Sequence, residues 1–395
     1  QDDSFSGTST SQGNKDENNL GSFYYAVPSG FKALHSKNLP KTVPSVIRQQ
    51  KHFDTLLYTA TGNAMTVTGL EFKPDLIWQK RRDSTGGSHF HYWFDSIRGG
   101  RYVLQSNTDG TESDSGDDNN IVFKDGGFDM AASDGGQGNA ASGTYVAWCW
   151  KAGGAAVANT DGTLNSQVSV NEEAGFSIVS WTSTGTTGST IGHGLSKKPD
   201  WIILKGRNTS ENQPWRVYHT YLGATKSFQL ETSGTPASQT GVWNDTEPTS
   251  SVFTVGNFGS TNENTKNYIA YCWTPIPGYS KFGSYTGNGN ADGPFVHLGF
   301  RPAWLMLRRT DSGDHFIIKD STRNTINDVY SNLGANLSNA EFGSAGNVQS
   351  ADFLANGFKI KGTDSAVNSS SGTYAYMAFA EQPGNTAFDT FPNAR

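Results

Sequence analysis

The chain has 395 residues, 46 of them glycine, with 12% aromatic and 17% charged residues and a formal net charge of −6. That length suits two to four domains, each with a core of its own. The acidic balance, with Lys and Arg scattered, excludes the basic stripe that nucleic-acid binding requires. The absence of any window of 18 apolar residues excludes a membrane-spanning helix.

Abundant Gly, Ser, Thr and Asn beside many aromatics describe short strands joined by turns, and the expected class is all-β. The first residues, "QDDSFSGTST", have no Met, basic stretch or apolar run, so the N-terminus reads as a cut. Residues 1–45 stand apart from the rest of the chain. There "FYYAVPSGFKALHSKNLP" reads as strand, Pro-Ser-Gly turn, strand and exit: an arm, or the last hairpin of a preceding domain.

From about residue 50 the chain repeats itself three times, and such self-similarity governs the fold. Each unit opens with an aromatic, a Thr and a Gly turn: "YTATG" at 58–62, "WTSTG" at 181–185 and "YTGNG" at 285–289. A proline-led strand comes second, with Pro74, Pro199 and Pro302 in one register. Six residues further on stand the cations Lys80, Lys205 and Arg308, expected where the strand leaves the core for water. Asp95, His219 and Asp320 then align. Apolar pairs come next, Phe123 with Phe128 in the first unit and Phe353 with Phe358 in the third. Each unit closes on "TYVAWCW" (144–150), "NYIAYCW" (267–273) or "TYAYMAF" (373–379).

The repeat predicts three tandem antiparallel β-sandwiches, jelly-roll or lectin-like, over 50–153, 175–278 and 279–384. A Gly-rich linker is expected at 154–174, strand-like only at its end, and a tail at 385–395. In the first closing strand Tyr145, Ala147 and Cys149 face one way while Val146, Trp148 and Trp150 face the other. Neither face suits water, so the strand is central in a sheet covered on both sides, or its outer face meets a neighbouring domain. Cys149 and Cys272 occupy one repeat position and read as buried small hydrophobes.

Candidate chemistry is sparse. Asp114, Asp117 and Asp118 in "SDSGDDNN" could wrap a calcium ion, although they lack the grammar of a known calcium loop and also suit a solvated turn. No zinc spacing and no "GxSxG" occurs, and His193 in "GHGL" reads as a turn residue. Asp95 with Arg98, and Asp320 with Arg323, read as turn or surface pairs. "GNGNADG" reads as a hairpin turn. Trp215 and Trp243 lie among loop residues, where an indole either plugs the end of a sandwich or offers a sugar ring a flat face. No catalytic residue and no cofactor is expected.

Several long motifs in one order carry a family resemblance: "VAWCWKAGG", "IGHGLSKKPDWIILKGR", "YHTYLGATKSF", "WNDTEPTSSVF", "GYSKFGSYTGNGNADGPFV" and "TYAYMAFAE". From about residue 50 to 384 the chain resembles the repeats of virion proteins of tailed bacteriophages, marine ones above all. "FYYAVPSGFKALHSKNLP" is similar to the end of the SPRY-like, concanavalin-like domain that often precedes them, although His35 and Ser36 stand where that family usually has Cys-Thr. The resemblance implies a non-enzymatic component of the virion surface, such as a tail fibre that binds a host receptor. Its implied partners are other virion proteins and a host cell-surface glycan or protein, and a homo-oligomer is expected. A capsid decoration or tail-structural protein is the alternative, and a polysaccharide depolymerase a third.

Overall fold

The computed structural model describes residues 12–17, 19–29, 31–33, 48–83, 89–116, 121–132, 138–346 and 348–381. Two compact units divide the chain, residues 1–46 and residues 47–395. In the first, the described residues hold one bridge between Asn14 and Phe23. A turn is closed by Phe31 N–H donating to the Pro28 carbonyl, at 3.1 Å. His35 and Ser36 lie outside the described residues.

The second unit is the triplicated one, and its sheets are all antiparallel. In the first module Phe53–Thr59, Thr144–Trp150, Leu76–Arg81 and His91–Asp95 lie side by side in that order. The same order returns as Phe176–Thr182, Asn267–Trp273, Trp201–Gly206 and Arg216–His219, and again as Ser280–Thr286, Thr373–Ala380, Pro302–Arg309 and Ile317–Asp320. The closing strand of each repeat is therefore hydrogen-bonded on both edges. A small outer sheet completes each sandwich, formed by Gly127–Met130 and its neighbours, by Ser189–Gly192 with Val252–Val255, and by Gly357–Ile360 with its neighbours.

Strand alternation sorts the side chains as the sequence predicts. Ala147 and Cys149 join Ile77, Phe94, Phe128 and Met130 in the first sandwich core. Ile202, Leu204, Ala270 and Cys272 do the same in the second, and Leu305, Leu307, Tyr376 and Ala378 in the third. The other face of all three large sheets meets in one shared core. It holds Trp78, Trp93, Trp148 and Trp150 from the first module, Trp201, Trp215 and Trp273 from the second, and Trp304, Met377 and Phe379 from the third. Trp150, Trp273 and Phe379 share a repeat position and converge there. Trp150 lies 6.2 Å from Trp273 and 5.7 Å from Phe379, ring centre to ring centre.

The outer faces of the closing strands meet neighbouring modules, one of the two arrangements expected: residues 47–395 form one compact unit because these sheet faces are too apolar to be left to water. The linker expectation is corrected. Within 154–174, Val157–Asn159 and Ser166–Asn171 are strands that pair onto the edge of the second sheet. Val168 there alternates into the second core.

A repeated corner explains the aromatic and Gly turn that open each unit. Tyr58 stacks on Tyr145 (5.2 Å, 8°), Trp181 on Tyr268 (5.5 Å, 18°) and Tyr285 on Tyr374 (4.9 Å, 13°). The closing-strand hydroxyl accepts from the backbone N–H five residues upstream: Ala140 to Tyr145, Glu263 to Tyr268 and Ser369 to Tyr374. Gly62, Gly185 and Gly289 turn at φ of +75°, +75° and +66°, which a side chain would strain.

Candidate functional site in the joint between the first two modules

The three modules meet head to tail, so each presents one edge to the next and the ring closes. The aligned cations sit in these joints, all fully buried, which corrects their expected escape to water. Lys80 Nζ donates to the Ser338 carbonyl of the third module (3.1 Å) and Lys205 Nζ to the Asp109 carbonyl of the first (2.7 Å). Arg308 donates to the Gly234 carbonyl of the second, with its guanidinium over the Phe228 and Phe316 rings. Burial pulls the Lys80 and Lys205 ammonium groups down to about 8. Each cation is held by backbone carbonyl oxygens of the neighbouring module, and those of Ser338 and Asp109 also accept a backbone N–H, from His89 and Gln213.

The aligned acids also face across joints: Asp95 with Arg98 and Asp320 with Arg323 are turn pairs, the first of the two readings, but buried ones and not on the surface. Asp95 binds Arg98 at 2.5 Å with both side chains fully buried, and accepts from the Tyr271 hydroxyl of the second module at 2.7 Å. Arg98 reaches Glu112 at 3.2 Å, and Glu112 in turn receives a two-point contact from Arg207 of the second module (2.9 and 2.8 Å). The third module repeats the pattern against the first. Asp320 binds Arg323 at 2.6 Å and accepts from Trp148 Nε1 at 3.0 Å, while Glu341 bridges Arg323 and Arg82. At the remaining joint the position of Tyr271 and Trp148 is taken by Met377, which has no N–H or O–H to donate. There the acid is replaced by His219, pulled down to about 3 by burial and therefore neutral, with the main chain of Tyr376 as its polar neighbour.

Beside the joint of modules one and two opens a cleft of about 560 Å³. Asn107, Thr108 and Asp109 line it from the first module, and Pro214, Gln229, Glu231 and Thr232 from the second. Its walls are fixed by the joint. Gln213 N–H donates to the Asp109 carbonyl (3.1 Å), Trp215 Nε1 to the Gln105 carbonyl (2.9 Å) and Trp215 N–H to Glu231 Oε2 (3.1 Å). Burial pushes the Glu231 carboxyl up to about 7, against the pull of Lys205 and Arg216. Near neutrality Glu231 therefore both donates and accepts, among the side-chain amides of Asn107 and Gln229 and the hydroxyls of Thr108 and Thr232. That set suits a polyhydroxylated ligand.

Trp215 itself is not a platform. It is fully buried, its indole against Trp93 (5.4 Å) and under Lys205 Nζ (5.8 Å), because the loop that leads into the strand Arg216–His219 packs it into the shared core. Trp243 is 1% exposed and edges onto Tyr218 in the second core, on the four-residue helix Thr240–Trp243. Both indoles fill interior space, which corrects their reading as glycan platforms. Asp114 is exposed and binds Arg101 at 2.5 Å; Asp117 and Asp118 lie outside the described residues. His193 is buried, its Nδ1 accepting from Leu195 N–H and its Nε2 3.2 Å from the Thr249 carbonyl, and burial pulls it down to about 4. Cys149 and Cys272 are free and fully buried, and burial pushes both thiols up.

Sequence reasoning missed the ion networks and one regular signal. Asn139, Asn262 and Asn368 each stand six residues before the closing-strand Tyr and are buried. Asn262 Nδ2 donates to the Thr186 and Gly256 carbonyls (both 2.7 Å), and its Oδ1 accepts from Gly185 N–H (3.2 Å). Asn139 and Asn368 brace their turns alike.

Fold and site together define an all-β repeat protein whose three sandwiches close around one tryptophan core, with a polar cleft at a joint. The chain belongs to the family described as a domain of unknown function (DUF7483), which matches residues 48–383, the whole triplicated unit. Searches of curated proteins and of solved structures find no match.

Proposed function

We propose that the chain is a non-enzymatic surface protein of a bacteriophage virion, of the tail-fibre or receptor-binding type, that attaches to host cells through a cell-surface glycan. The observation that carries the reading is the cleft of Asn107, Asp109, Gln229 and Glu231, a set of hydrogen-bonding side chains held by a rigid joint. Such a site suits weak recognition strengthened by copy number, as adhesion modules use it. The phage-type motifs of the repeat support the same reading, as does the use of the buried acids and cations in joining modules.

Glycan-array binding without release of reducing sugar is the expected result, with at least tenfold weaker binding by Gln229→Ala. Binding unchanged in that variant sinks the cleft as the seat. A second reading rests on Glu231, whose carboxyl near 7 beside Asp109 suits an acid of a depolymerase. Reducing-sugar release abolished by Glu231→Gln is its mark. An array without any ligand, together with tight attachment to the particle, marks a decoration protein.

A further inference from the structure

The repeat singles out Lys319. It precedes Asp320, and the positions preceding Asp95 and His219 are Phe94 and Tyr218, each an aromatic of its sandwich core. Lys319 occupies the same inward place in the third module, between Ile318 of the shared core and the buried Ile317 and Val329. It is fully buried, as is Asn332. Its Nζ lies 2.5 Å from Asn332 Oδ1 and 3.2 Å from the Val329 carbonyl. A buried ammonium with two neutral acceptors is a costly occupant of a site that elsewhere holds an aromatic ring.

We propose that Lys319 and Asn332 join covalently, side chain to side chain, through an intramolecular amide bond. An atom 2.5 Å from a carbonyl oxygen lies at most about 3.7 Å from its carbon, since the C=O bond is about 1.2 Å long. That bound stands within a few tenths of an ångström of the attack distance of about 3–3.5 Å from which such reactions proceed, so only a small approach is needed. Asn332 is held for it. Its Nδ2 donates to Gln349 Oε1 (3.2 Å), Gln349 Nε2 donates to Asp364 (3.0 Å), and its backbone pairs with Phe342. Gln349 is half-buried, so the departing nitrogen faces the way out.

The nucleophile is the neutral amine. Burial pulls Lys319 down to about 7 and Arg323 adds to the effect, Asp328 opposing, so neutral amine is plentiful at physiological pH. The Nζ lone pair attacks Asn332 Cγ, the Cγ–Nδ2 bond breaks, and two protons of the original ammonium pass to the leaving nitrogen. Lysine ammonium and carboxamide become a secondary amide and an ammonium ion, with no oxidant or reductant. The positive charge leaves the core with the ammonium ion, and the new amide N–H keeps the Val329 carbonyl as acceptor. The link ties Ile317–Asp320 to the segment entering Leu333–Gly334.

Mass spectrometry of the full chain under denaturing conditions tests the bond. The expected mass is lower than that of the sequence by one ammonia, about 17 Da, trypsin does not cut after Lys319, and one branched peptide carries both Lys319 and Asn332. Cyclisation of Gln1 or of Asn356 before Gly357 releases the same mass, so the branched peptide decides. Lys319→Met and Asn332→Ala are expected to abolish it, the former with retained fold because an apolar side chain suits the site. Folded wild-type protein, aged at mildly alkaline pH, that yields only separate Lys319 and Asn332 peptides overturns the proposal.

Discussion

Glu231 is the side chain on which pH acts most directly at the cleft. Its carboxyl stands at about 7 in the folded protein against 4.5 ordinarily, because burial penalises the charge. Between those values the folded chain keeps a proton that the unfolded chain has released, so Glu231 makes stability fall as pH rises through that window. Lys205, pulled from 10.5 to about 8, acts the other way: stability rises with pH between about 8 and 10.5 as the unfolded chain alone keeps the proton. Glu231→Gln keeps an acceptor for Trp215 N–H and removes the slope. Since a pKa unit is worth about 1.4 kcal/mol and Glu231 is partly reached by water, the variant should gain roughly 2 kcal/mol over wild type near pH 8 and nothing near pH 4. Urea denaturation at the two pH values measures it; equal gains at both would remove Glu231 as the titrating group.

Pairs of elements are held by the acids and cations at the joints. Arg98→Ala leaves Asp95 buried with only Tyr271 and backbone donors, and breaking a buried pair in this way costs about 3–5 kcal/mol. Arg101, in an exposed pair with Asp114, is the control, and Arg101→Ala should leave stability nearly unchanged because solvent screens such a pair. Equal losses from chemical denaturation of the two variants would show that the joint carries no special weight. The alignment of Asp95, His219 and Asp320 was plain from the sequence, but not its meaning. Each acid answers a donor on another module, Tyr271 or Trp148, more than 170 positions away, and His219 stands where that donor is absent. No local pattern encodes such a partner.

The whole second unit depends on the ring being closed. The first module alone turns eight large apolar side chains toward the shared core, from Phe53 to Trp150. At about 1.5–3 kcal/mol each, exposing them forfeits roughly 12–24 kcal/mol, which equals or exceeds most of the roughly 5–15 kcal/mol range over which typical domains are stable. Residues 48–153 expressed alone should therefore associate or remain unfolded, whereas 48–381 should melt in one transition. Sedimentation and calorimetry check both, and a monomeric, cooperatively folded first module would refute the shared core as a requirement.

The threefold repeat, the all-β class and the two apolar faces of each closing strand were determined by the sequence itself. Strand alternation and turn chemistry act over a few residues and show in the order of side chains. Only the tertiary structure decided what lies against the inner faces. Lys80, Lys205 and Arg308 read as surface cations, and Trp215 and Trp243 as loop residues, because each one's surroundings come from segments remote in the chain. A side chain's polarity is local, whereas its burial depends on which other module arrives to cover it.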